Sequence, residues 1–192
     1  MGDAAIQLTA ADLPDVAGKC RGPLLIMGGA RCIWDDEKRL GDWPHHRMAV
    51  NDIGQHYHGT IRHWCSLHPE YFPGWMAYRM GHNYGNRGYV HTHTAQGRKG
   101  EEHCDFRWPI LDIGGSSGLF AVFVALFMGY APLVLAGMPM DGQGHYFDPP
   151  HTDQSQLAGR PEQIVWTQAR DTVFEGRVKS MSGRTRDWLG AP

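Results

Sequence analysis

Two histidines in one polar loop are the residues best placed for chemistry. His145 and His151 lie in a Gly/Pro-rich run, 141–153, that also carries Asp141 and Asp148. Near neutral pH a neutral imidazole is the side chain most able to take a proton from an attacking hydroxyl. Pro149 and Pro150 stiffen the approach to His151, which favours it as the base. His145, held between Gly144 and Tyr146, is the second candidate, with stacking as its other possible role. A base of this kind suits group transfer, in which a hydroxyl attacks a carbon that carries a phosphate leaving group.

That chemistry also needs something to hold the phosphate. Gly28-Gly29 and the 114–118 run, GGSSG, each precede a helix-like segment, and the first N–H groups of a helix lack internal acceptors at its positive end. Ser116, Ser117 and Gly118 therefore either meet an anion or, for the serines, cap the helix. Tyr130 and Tyr146 add hydroxyls for the same anion. Asn51 and Asp52 follow an apolar run. Asn51 can donate and accept, as recognition of a base or ribose demands, or it can form a turn with its own backbone. His68, with Ser66 and Glu70 beside it, ends another such run and joins Asp141 and Asp148 as a candidate wall of the substrate pocket.

One further histidine pattern stands apart. His91 and His93 alternate at strand spacing, and would ligate metal if His82, His103 or Asp105 joined them, or else form a solvated strand face. No metal ligand is assigned on this basis.

The elements that must position these groups follow from apolar runs and breakers. Residues 24–27 read as a buried strand, 33–40 as a helix with Asp35, Asp36 and Glu37 near its positive start, and 47–50 and 61–67 as further strands. Residues 119–128 are apolar throughout and end at Gly129-Tyr130-Ala131-Pro132, which predicts a covered helix; 133–137 then read as a strand apolar on both faces. Residues 161–174 have helical periodicity, 178–182 are strand-like, and 183–186 form a closing turn, either an anion contact or an ordinary chain end. A short capped turn is expected at 9–13. The 73–108 stretch, punctuated by Gly81, Gly85, Gly88 and Gly97, is read as an irregular insertion, with 89–93 as its one strand. The expected fold is one α/β domain over 1–192, doubly wound, with a mostly parallel, Rossmann-like sheet.

Composition narrows the class. With 192 residues the chain can bury a core without disulfides or metal. A net charge of −2 and 18 dispersed basic residues argue against a nucleic-acid partner. The four cysteines, Cys20, Cys32, Cys65 and Cys104, form no CxxC pair and read as reduced thiols, so a cytoplasmic location is expected. The N-terminus has no signal-peptide pattern, and GGSSG and GYAP interrupt the longest apolar stretch, so no membrane span is expected. Most of the 12 histidines and 7 tryptophans concentrate in 34–108, which is expected to supply much of the pocket wall.

The segments LLIMGGA, MAVND and SSGLFAVFVALFMGYAPLVLAGMPMDGQGHYFD together resemble bacterial sialyltransferases that use CMP-activated sugars. They also resemble related Rossmann-like proteins of the motility-accessory and hydroxymethylpterin-pyrophosphokinase type. SLHPEYF and VKSMSGRTRDWLG resemble small phage-encoded proteins of unassigned role. The resemblance implies a nucleotide lying across Gly28-Gly29, Asn51 and Ser116–Gly118, with a sugar near 141–151. The chain departs from the family at Gly137-Met138-Pro139, where Gly-x-Asp is usual, and at Gly29 or Ala30, where an Asn is usual. What it implies is a glycosyltransferase-like protein that takes a nucleotide-sugar donor and a small-molecule or glycan acceptor, with no cofactor required. Two alternatives remain: a Mg²⁺-dependent pyrophosphokinase using Asp52, Asp141 or Asp148, and a non-catalytic nucleotide-binding phage accessory protein. A homo-oligomer is compatible with each.

Overall fold

Short runs of Leu, Ile, Val and Met with no polar face can only be strands covered on both sides, and they form the centre of this protein. The computed structural model describes residues 13–43, 45–84, 89–109, 116–142, 144–149 and 160–192, with only the backbone of 160–163. Seven strands, β1 (Leu24–Met27), β2 (His46–Val50), β3 (His63–Cys65), β4 (His91–Ala95), β5 (Phe106–Trp108), β6 (Leu133–Ala136) and β7 (Val178–Ser180), form one sheet in the order β5-β4-β3-β2-β1-β6-β7. Every pairing is parallel.

Alternation along β1 separates two cores. Leu24 and Ile26 pack with α4 (Ser117–Met128) and with Trp166 of α5 (Arg160–Ala169). Leu25 and Met27 face α1 (Ile33–Leu40), α2 (Ile53–His56) and α3 (Phe72–Gly81) through Ile33, Ile53 and Phe72. The chain winds outward through β2 to β5, then returns to the other side of β1 for β6 and β7. This is the doubly wound, Rossmann-like α/β fold expected, and its switch point lies between β1 and β6.

Three expectations need correction. The 73–108 stretch is mostly regular: α3, β4 and β5 extend the sheet by two strands. Gly81 closes α3, and Gly97 and Gly100 take positive φ in the turn after β4, where their freedom is used without ending the pattern. The helix expected over 161–174 changes to a π-helical turn at Arg170–Phe174, and 183–186 begins a helix, α6 (Gly183–Leu189). Residues 9–12 lie outside those described. Among the described residues no helix is long and apolar enough to cross a membrane.

Asp35 and Asp36 both read as acids placed to suit a helix dipole, yet Asp36 is fully buried. Its Oδ2 accepts from the Gly137 amide at 2.9 Å and from Ser182 Oγ at 2.7 Å, while Arg39 pairs with Oδ1. One carboxylate on α1 thereby ties down the chain leaving β6 and the chain leaving β7.

Candidate functional site

The chain ends of β1 and β6 part at the switch point and open a cleft of about 290 Å³. Its floor is two glycine turns in contact. A Cβ on Gly28 would lie 2.6 Å from the Gly137 carbonyl oxygen, and one on Gly137, whose φ is +64°, would lie 2.3 Å from that of Gly28. Only glycine allows this approach. The wall formed by Met138 and Pro139 is held from behind by α6: Thr185 Oγ1 donates to Met138 O at 2.7 Å and the Arg184 amide to Pro139 O at 2.9 Å. The closing segment is thus a buttress of the cleft.

Asn51 stands at the end of β2 with φ +56°, a left-handed conformation that costs a non-glycine residue about 1 kcal/mol or more. Its neighbours enforce it. Asn51 N donates to Cys65 O at 2.9 Å, Trp64 Nε1 donates to Asn51 O at 2.6 Å, and Ser66 Oγ donates to Asn51 Oδ1 at 2.8 Å. Ser66 Oγ in turn accepts from the His68 amide at 2.9 Å. With Oδ1 taken, the Asn51 NH₂ has no partner among the described residues and lines the cleft. It is a donor with a fixed position.

Ser116 is the N-cap of α4, its hydroxyl accepting from Leu119 N at 3.2 Å and from Trp166 Nε1 at 3.4 Å. The cap leaves the amides of Ser117 and Gly118 at the positive end of a 12-residue helix. Ser117 itself turns away: its buried Oγ accepts from Leu67 N at 3.4 Å.

Opposite these donors the loop after β6 folds back on the first glycine turn. Tyr146 N donates to Gly29 O at 2.9 Å, and His145 forms an antiparallel bridge with Ala30. Asp148 Oδ2 accepts from both the His145 amide, at 2.7 Å, and His145 Nδ1, at 3.1 Å. Arg31 donates to the carbonyls of Asp148 and Pro149 at 3.2 and 2.6 Å and fixes the loop. A carboxylate on Nδ1 selects the tautomer whose bare Nε2 can accept a proton. The imidazole also lies flat on Phe147, at 5.0 Å and 2° between planes. Burial raises the pKa of Asp52, with the charges of His145 and His56 opposing the rise and Asp148 adding to it.

Of the expected site residues, the fold gathers Gly28, Gly29, Asn51, Asp52, Ser116, Gly118, Asp141 and His145 around this cleft. Asp148 acts on it through His145. Four are not brought to it. Tyr130 sits where α4 returns to the start of β6, at the opposite end of the sheet, its hydroxyl 3.0 Å from His46 Nδ1 and from His63 Nε2. Ser117 faces the core, and His68 pairs loosely with Glu70 at 3.6 Å on the surface. Tyr146 faces a neighbouring aromatic pocket. His151, Gly114 and Gly115 lie outside the described residues. Among the described residues His91 and His93 join no metal set, and the strand face is not a solvated one: His91 is half-buried and His93 is fully buried, with one ring nitrogen on His63 and the other on Trp108. Sequence reading missed Arg31, Gly137 and Trp166. Arg31, directly after Gly28-Gly29-Ala30, was the most recoverable, since a cation next to a turn often anchors a facing loop.

No protein-family model matches the chain, and no curated protein does. Solved structures do. The sialyltransferase CST-II in complex with a trisaccharide acceptor and CMP aligns over 88% of this chain and 85% of its own, with a TM-score of 0.60 at 9% identity. CstII from Campylobacter jejuni with cytidine-5'-monophosphate aligns over 88% and 84%, with a TM-score of 0.61 at 10% identity. A variant of α-2,3/8-sialyltransferase CstII gives 0.57 at 11% identity. At such identities the likeness is one of fold.

Proposed function

We propose that this protein binds a nucleotide-activated sugar, with a CMP-sugar as the first candidate, and transfers the sugar to an acceptor hydroxyl. One observation carries the reading: in a fold shared with CMP-binding sialyltransferases, an imidazole oriented by a carboxylate faces a fixed amide donor and a helix N-terminus across a single cleft. The nucleotide lies over Gly28-Gly29 with Asn51 NH₂ on its ribose or base. Its phosphate sits at the Ser117 and Gly118 amides, where the helix dipole stabilises the charge that develops as it departs. The acceptor oxygen attacks the anomeric carbon, the bond from that carbon to the phosphate oxygen breaks, and the acceptor proton passes to His145 Nε2. Asp148 stabilises the imidazolium that results.

The Mg²⁺-dependent pyrophosphokinase alternative fits these residues less well. Among the described residues no three His, Cys, Asp or Glu side chains converge as a metal site, and Asp148 Oδ2 is already committed to His145. Calorimetry and thermal shift with CMP, UDP, GDP and ADP test the reading first. A true ligand stabilises the fold by about 2.7 kcal/mol at a hundredfold excess over its Kd. Turnover of a CMP-sugar with a glycan acceptor tests it second. No shift with any nucleotide at millimolar concentration would end it, and binding without turnover would favour a non-catalytic nucleotide-binding protein.

A further inference from the structure

Beside the nucleotide cleft lies a second cavity of about 480 Å³, lined by Trp34, Glu37, His56, Tyr57, His58 and Tyr146. Its volume falls in the range of ordinary small-ligand pockets, roughly 300–1,000 Å³. We propose that this cavity is a saccharide subsite that holds the acceptor, an inference that rests on the transferase reading above.

The rings that line it run without a gap to the proposed base. His145 stacks on Phe147, and Phe147 stacks on His56 at 4.9 Å. His56 meets Tyr146 at 5.9 Å, and Tyr146 meets Trp34 at 5.3 Å. Phe147 stands between His56 and His145, and Tyr146, which lines the cavity, directly follows His145, so an acceptor held here lies beside the loop that carries the base.

The geometry also selects the occupant. Tyr146 meets its neighbours edge to face, at 74° with Trp34 and 84° with His56. Trp34 and Tyr57 are parallel, at 10°, but stack on each other at 5.9 Å, so the surface left open is a corner, whereas a planar nucleobase wants two parallel faces with room between them. A pyranose has one apolar C–H face for such a corner and hydroxyls around its edge, which matches aromatic walls carrying a few polar groups. Those polar groups are present. Glu37 uses Oε1 for Tyr57 OH, at 2.5 Å, and for Arg47 Nε, at 3.3 Å, while Oε2 has no partner among the described residues. A carboxylate oxygen left open while its twin is bonded by Tyr57 and Arg47 suits a hydroxyl donor and disfavours an anionic ligand. Trp34, the main ring of the corner, is 38% exposed on α1 and is held in place by Tyr57 and Tyr146.

Calorimetry or saturation-transfer NMR with neutral disaccharides (lactose, maltose and cellobiose), run with and without CMP, tests the assignment. The expected result is binding of at least one disaccharide. Trp34→Ala weakens it roughly tenfold or more, the scale of a lost ring contact plus buried area, and leaves CMP affinity unchanged. Glu37→Gln and the exposed-site variant His58→Ala give second readings should Trp34→Ala not fold. In turnover these variants raise the acceptor KM while donor hydrolysis persists. If the protein binds CMP but no disaccharide, or if Trp34→Ala abolishes CMP binding and spares the disaccharide, the subsite assignment is overturned. If a disaccharide binds through Trp34 but no nucleotide binds, the subsite stands and the transferase reading falls.

Discussion

His145 and the pair His63 and His93 are the same side chain in opposite settings. His145 lies at the cleft, partly exposed, with a carboxylate on one ring nitrogen. His63 and His93 lie inside the sheet, on β3 and β4, and bond to each other at 2.9 Å. Donor rules settle the protons in the buried set. Trp108 Nε1 can only donate, so His93 Nδ1 accepts from it at 3.2 Å, and His93 Nε2 must donate to His63 Nδ1. His63 Nε2 then donates to Tyr130 OH. From the other side Arg62 donates to His46 Nε2 at 3.2 Å, so His46 Nδ1 also donates to Tyr130. Every group is satisfied with both histidines neutral, and burial with neighbouring positive charge pushes the pKa of His63 to about 2 and that of His93 to about 3. One histidine is arranged to take a proton and the other two to refuse one. The partner atom decides the chemistry, and the residue type does not.

The largest effect that tests this contrast is catalytic. His145→Ala should lower sugar transfer by about 10²- to 10⁴-fold, the usual contribution of a general base, with nucleotide affinity retained. Asp148→Asn should lower it less and shift the pH profile of the rate, since the imidazole loses its orienting charge. Wild-type turnover in both variants would leave His145 no different in kind from the buried pair.

Next in size is a loss of stability with no loss of ligand affinity. His93→Ala removes an acceptor from Trp108 and a donor from His63 and leaves a cavity, so unfolding should become easier by about 3–5 kcal/mol. Nucleotide affinity should hold within about twofold at a temperature where the variant is folded. A change in affinity without a change in stability would place the buried chain in the functional machinery.

The third test is pH. Unfolded histidines bind protons near pH 6.5, whereas folded His63 and His93 do so only near pH 2–3. Stability is therefore complete above about pH 6.5 and falls as pH drops toward 3, by at most about 2.7 kcal/mol per unit for two groups at 1.36 each. Denaturant midpoints between pH 7 and 5 measure it; His45, His46 and His56, also lowered by burial, add to the slope, so His63→Leu should reduce it by at most about 1.4 kcal/mol per unit.

The smallest effect separates strain from binding at Asn51. Asn51→Gly relieves the left-handed backbone by about 1 kcal/mol but deletes the cleft-facing amide. The fold should hold or gain slightly in melting temperature while nucleotide affinity drops by roughly one to two orders of magnitude. Unchanged affinity would make Asn51 a turn residue only.

Local pattern was enough for much of the frame. The run 24–27 and the helix 33–40 fall where apolar periodicity and glycine punctuation put them, and the α4 helix with its glycine stop differs only at its start. The placement of Asn51 at a strand end and of Ser116 at a helix start was legible too, and for Ser116 the capping role that the sequence allowed is the one its hydroxyl takes. The buried histidines were not. His91-Thr92-His93 alternates like a half-exposed strand, and only β3 and β5 on either side, with Phe106 stacked against His93, turn its inner face into core. Tyr130 looked like a phosphate contact because it follows the helix that begins at the glycine turn. Twelve residues of helix carry it to the far end of the sheet instead.

What the sequence determined by itself is the set of elements: apolar runs of strand length, one helix without a polar face, and glycines where the chain must turn, each read from interactions within a few residues. Tertiary structure alone decided the pairing of distant groups. Asp36 reaches Gly137, 101 positions away, Arg31 reaches Asp148, 117 away, and His63 reaches Tyr130, 67 away. A side chain's protonation, burial and reach depend on those long-range partners, and the parallel strand order that brings them together is set by packing both faces of the sheet at once.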